Sequence, residues 1–211
     1  MLSRRLRYQH SQSSCTRPCF RGPGATVWGA NAVNGVINII TKNSADTQGG
    51  QISALVGTQE QTIDSIRYGG KIGNCTTYRV FVRYKQFADS RDAVTHKSAD
   101  DAWNITHGGF RVDWTPEQQD KFTFEGDYSG GPVDQKSTFP TLTPPFSQVV
   151  NADAESAGGN LLGRWTHSFS DTSVTNLQIY YDHAQRNEPS FFGQKEDTGD
   201  IDFTHRFELS R

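Results

Sequence analysis

Strict alternation of apolar and polar residues is the property of this chain that most restricts its fold. Tyr78, Val80, Val82 and Tyr84 interleave with Arg79, Arg83 and Lys85. A period of two puts each set on its own face of an extended strand, whereas a helix would scatter both around its circumference. The pattern recurs along the chain. Ile52, Ala54 and Val56 share a face, as do Ile66, Tyr68 and Ile72 opposite Arg67 and Lys71. Phe110, Val112 and Trp114 alternate with Arg111 and Asp113, and Phe122, Phe124 and Tyr128 with Thr123, Glu125 and Asp127. Leu161, Trp165 and Phe169 oppose Arg164, and Leu177, Ile179 and Tyr181 follow. Ile201, Phe203, Phe207 and Leu209 alternate with Asp202, Thr204, Arg206 and Glu208. A mainly β fold of about eight antiparallel strands is expected.

The connections sort by length. Short turns are expected at 73–77, 115–120 and 170–173, and long polar loops at 87–101, 130–156 and 187–199. Outer-membrane barrels have short turns at one rim and long loops at the other. A soluble sandwich has no reason to sort its loops this way. Tyr78, Trp114, Phe122 and Phe169 stand beside the short turns, where an aromatic girdle would meet lipid headgroups. Hydrophobic residues make up only 34% of the chain, and no apolar run approaches the roughly 18 residues of a spanning helix. A barrel needs no such run, because lipid-facing and lumen-facing residues alternate.

Residues 21–42 read Arg-Gly-Pro-Gly-Ala-Thr-Val-Trp-Gly-Ala-Asn-Ala-Val-Asn-Gly-Val-Ile-Asn-Ile-Ile-Thr-Lys. Gly22, Pro23 and Gly24 supply turn chemistry, Asn34-Gly35 is a second turn signal, and residues 36–40 read as a buried strand. The stretch contains no nucleophile, acid–base pair or metal cluster. It resembles the last part of the plug domain of TonB-dependent outer-membrane receptors. Arg21, Gly22 and Pro23 match the Arg-Gly-Pro turn of that family, and Trp28 and Gly29 its aromatic-Gly step. Asn31 and Ala32 match its Asn-Ala pair, and Gly35 through Asn38, Thr41 and Lys42 its closing strand.

The resemblance implies residues 21–45 as the C-terminal part of a plug domain and 46–211 as the N-terminal portion of a transmembrane β-barrel. Complete transporters of this size class close about 22 strands around a plugged lumen, so an incomplete barrel is expected. It further implies a Gram-negative outer membrane, contact with its lipid, and energised uptake of a scarce ligand of the ferric siderophore, haem or cobalamin class. The inner-membrane TonB complex would drive the full-length receptor, and the segment that contacts TonB is not recognised in these residues. The chain alone is expected to be inactive, with no cofactor and no enzymatic activity.

Residues 1–20 do not match the family and are expected to be a disordered, atypical segment. Residues 1–21 carry five Arg and no acid, but lack the folded basic face that a nucleic-acid partner needs, and none is expected. Cys15 and Cys19 have no further ligands near them to complete a zinc site. Two other readings account for the alternation. One is a soluble all-β binding module, such as a carbohydrate-binding sandwich. The other is an enzyme on a small barrel using one of His96, His107, His167, His183 or His205, although no local signature joins these to a nucleophile.

Overall fold

A computed structural model describes residues 19–21, 35–37, 40–151, 153–188 and 192–208. A short antiparallel pair comes first: β1 (Cys19–Arg21) runs against β2 (Gly35–Ile37), with Arg21 opposite Gly35. The boundary expected at residue 20 therefore falls inside a strand, and residues 1–18 lie outside the described part. A strap then leads through a 3-10 turn (Ser44–Thr47) into the main sheet. Gly49 makes the entry at φ +83°, a conformation that a Cβ would strain.

Eight strands form the main sheet. They are β3 (Gly49–Val56), β4 (Glu60–Ile72), β5 (Thr76–Phe87), β6 (Trp103–Glu117), β7 (Asp120–Val133), β10 (Ala154–Ser170), β11 (Ser173–Glu188) and β12 (Phe192–Phe207). Each pairs antiparallel with its neighbour in this order. The sheet is a simple meander, and its outer strands β3 and β12 do not pair with each other. The remaining two, β8 (Lys136–Pro140) and β9 (Ser147–Asn151), form a separate hairpin.

The strand number and the antiparallel order agree with the alternation. Two loop expectations do not. Residues 187–199 are not a loop: β11 and β12 pair from Glu188 opposite Phe192 onward, leaving three residues between them. Their upper halves are polar on both faces, so they carry no alternation to read. The expected loop 130–156 contains β8 and β9, and the chain on either side is already strand. The lower connections are short as expected, at 73–75, 118–119 and 171–172. At the upper rim, 88–102 and 134–153 are long, while 57–59 and 189–191 are short.

Register places the two sets of side chains on opposite faces. Trp114 faces Phe122, which faces Trp165, then Leu177 and Phe203. One row higher run Tyr78, Val112, Phe124, Gly163, Ile179 and Ile201. The next row holds Tyr68, Val80, Phe110, Gly126, Leu161 and Tyr181. These rows form one unbroken apolar face, and nothing among the described residues covers it. Ile52 is 78% exposed, Ile201 72% and Leu161 55%. Ala154 is the one buried apolar residue among those described. The sheet therefore has no hydrophobic core of its own. Covering a dozen such side chains would contribute roughly 20–35 kcal/mol, at about 1.5–3 kcal/mol each.

Candidate functional site

The opposite face is polar, and the strap lies on it. Asn43 caps the 3-10 turn by accepting the Ala45 N–H at 2.9 Å, which turns Ser44 and Thr47 toward the sheet, where both are buried. Ser44 donates its backbone N–H (2.8 Å) and its hydroxyl (2.6 Å) to Asp113 Oδ2, and its Oγ lies 2.6 Å from the Thr77 hydroxyl. Arg111 grips the same carboxylate with Nε and Nη2, both at 2.9 Å, and Thr123 donates to Oδ1 at 2.9 Å. A buried carboxylate is costly unless its lone pairs are filled. Here five donors fill them.

Arg111 also reaches Glu125 at 2.8 Å and Thr41 at 2.7 Å, and the Thr41 hydroxyl donates to Glu125 at 2.9 Å. Arg79 donates to the Lys42 carbonyl at 3.1 Å. Gly69, on β4, lies directly beneath the strap, and a Cβ there would run into the Thr47 carbonyl. The backbone of the strap thus approaches the sheet where only glycine leaves room.

Two further groupings lie higher on the polar face. His107 meets Asp127 at 3.3 Å, and Asn160 donates to the same carboxylate at 3.1 Å. On β5, Arg83 and Lys85 lead up to Phe87, whose ring stacks on Trp103 at 4.1 Å and 11°. Loop 88–102, which joins β5 to β6, is bonded to itself. Asp89 accepts the N–H groups of Asp101 and Ala102, and Asp101 accepts the Ser90 hydroxyl and N–H at 2.6 Å each. These bonds from Ser90 hold the Asp101 carboxyl below its ordinary range, and the Thr95 and Val94 amides do the same for Asp92. Lys136 of β8 ties the loop to the hairpin through Asp100 at 2.6 Å.

The motif residues divide into three groups. Arg21 and Gly35 pair across β1 and β2. Thr41 and Lys42 belong to the strap and are bonded to the sheet. Gly22, Pro23, Trp28, Gly29, Asn31, Ala32 and Asn38 lie outside the described residues. Sequence reasoning placed Arg111, Asp113 and Glu125 on the polar face but missed that they hold the strap. The Asn-Ser step at 43–44 is an N-cap signal that could have marked the contact.

The histidines are dispersed. His167 meets Asp120 at 2.8 Å and His183 meets Asp197 at 2.6 Å, both on the apolar face. His205 lies 3.1 Å from Ser173, between Phe169 and Phe207, and no carboxylate orients its ring among the described residues. Among the described residues no cluster of His, Cys, Asp or Glu could hold a metal ion. No family model and no curated protein matches the chain.

Proposed function

We propose that this chain is a segment of a TonB-dependent outer-membrane receptor, in which residues 46–211 are barrel wall and the strap joins it to a plug. The carrying observation is the continuous apolar face, uncovered among the described residues, backed by a polar face that binds the strap. Soluble proteins rarely leave so large a patch in water. A barrel in lipid requires it, and it equally requires a wet inner face.

The aromatic residues support this reading quantitatively. Tyr78 stands two residues above the level of Trp114 and Phe122, and Phe207 stands four below it on β12. The lower belt thus descends six residues (2 + 4) over the five steps from β5 to β12. With a rise of about 3.3 Å per residue and about 4.8 Å between strands, that drift corresponds to a tilt of about 40°. Tyr84, Tyr128 and Tyr181 form an upper belt that descends in the same direction, four residues over four steps, for a tilt of about 35°. Barrel strands tilt by about 35–45°. Two belts level with a membrane would drift together in this way. The belts are six residues apart on β5 and on β7, about 16 Å along the normal, somewhat thinner than the typical ~25 Å band.

The open edges of β3 and β12 fit a wider barrel, closed by further strands. In that receptor the ligand would be of the ferric siderophore, haem or cobalamin class, with energy supplied through TonB. Fractionation tests the reading. Membranes from cells exporting the chain to the periplasm should retain it through salt and alkaline carbonate washes. Release by either wash would favour the soluble binding module instead. Uptake of labelled ligand by this chain alone should not exceed the empty-vector level.

A further inference from the structure

The polar face segregates its charge. Between 63 and 71 on β4 and between 77 and 85 on β5, it carries Lys71, Arg67, Arg79, Arg83 and Lys85 and no carboxylate. Asp64, the acid within these segments, faces Tyr84 on the other side of the sheet. Arg67 stands opposite Phe81, diagonally between Arg79 and Arg83, so the cations form one stripe climbing from the strap to the upper rim. On the neighbouring strands of this face the charges are mixed, and Arg111 is paired with Asp113 and Glu125.

Two observations point to what the stripe receives. The Arg67 Nε is buried and has no hydrogen-bond partner among the described residues, so it is a donor that a bound anion's oxygen would satisfy once the side chain turns toward it. At the top, the Phe87–Trp103 stack stands two residues beyond Lys85 and four beyond Arg83, about 7 and 13 Å at strand rise. Flat rings extend such stacks. Glu60 lies opposite Phe87, and the four aspartates of loop 88–102 above this end are bonded within the loop or to Lys136. A wall of one sign concentrates ligands of the other.

We infer that the stripe of β4 and β5 is the wall that receives the ligand, and that the ligand is an anion carrying a flat aromatic system. The inference rests on the receptor reading and narrows it. Haem, with its carboxylates, and aryl-type ferric chelates both fit, whereas cyanocobalamin, which has no net charge, does not.

The test uses the 211-residue chain inserted into lipid vesicles, with equilibrium dialysis against haemin, a ferric tris-catecholate and cyanocobalamin. At least one of the two anions should bind, cyanocobalamin should not, and the affinity should fall as salt rises. Arg83→Gln combined with Lys85→Gln should weaken the anion at least tenfold, while Lys195→Gln, on the apolar side of β12, should leave it unchanged. The anion that the double variant weakens identifies the source. If the inserted chain binds cyanocobalamin equally well, or anion binding ignores the double variant, the inference fails and the barrel reading stands. If the chain does not insert, both fail.

Discussion

Ser44 and Asp113 are 69 residues apart in sequence, yet Ser44 delivers both its N–H and its hydroxyl to one oxygen of the Asp113 carboxylate, at 2.8 and 2.6 Å. This double bond to a single acceptor ties the strap to the sheet, and Arg111 fixes the acceptor from the other side. Hydrogen bonds to a charged group contribute about 1.5–3 kcal/mol each. Asp113→Ala should therefore raise the opening of the strap at least tenfold. Tryptic cleavage after Lys42, which is exposed, reads this opening. Asp202→Ala, on the same face at β12, should not change the rate. Equal rates in both variants would remove the clasp from the account.

The close approach at Gly69 gives an independent check of the same contact. Gly69→Ala puts a methyl group against the Thr47 carbonyl, so it should speed cleavage after Lys42 while leaving strand content intact. At Gly50 a Cβ meets Tyr68 only at an ordinary 3.9 Å, and Gly50→Ala should be silent.

Loop 88–102 should loosen only in strong acid. Asp92 and Asp101 both have depressed values, caused by the amide and hydroxyl donors of Thr95 and Ser90. A depressed carboxyl stabilises above its unfolded value of about 3.9 and loses that stabilisation as pH falls through its folded value. Amide protection within the loop should hold at pH 4.5 and fall at pH 2.5. A transition above pH 4.5 would contradict this.

The two faces of β12 predict opposite tolerance to charge. Phe203 points to the apolar face and Thr204 to the polar one, and both are exposed in the sheet. Phe203→Arg, between the two aromatic belts, should cost about 2–4 kcal/mol of membrane insertion, the range for a cation facing the middle of the lipid. Thr204→Arg should cost less than about 1 kcal/mol, because it stays in water. Urea titration of vesicle-inserted protein measures both. A soluble sheet would accept either change.

Much of this architecture is legible in the sequence, for a physical reason. Tyr78, Val80, Val82 and Tyr84 alternate because the two faces of the sheet differ in polarity, and that difference is written residue by residue. Where both faces are wet the difference lapses. Residues 194–200, Gln-Lys-Glu-Asp-Thr-Gly-Asp, read as loop and are strand, held by pairing with β11 and not by burial. The hairpin of β8 and β9 is hidden in the same way by Pro, Thr and Ser. The clasp was not legible either. Arg111, Asp113 and Glu125 look like an ordinary wet face, and their target lies some 70 residues away with no periodicity to announce it. The charge segregation of β4 and β5 is visible in the sequence only after register decides which face each residue occupies.

The central claim is that one face of the meander meets lipid and the other water. Nitroxide scanning along β5 in vesicles tests it most directly, on a background with Cys15, Cys19 and Cys75 replaced by serine. Labels at 78, 80, 82 and 84 should be reached by dissolved oxygen and shielded from a water-soluble nickel chelate. Those at 81, 83 and 85, above the strap, should show the reverse, with a period of two residues. Equal access of the nickel chelate to both series, or loss of the alternation, would contradict the account.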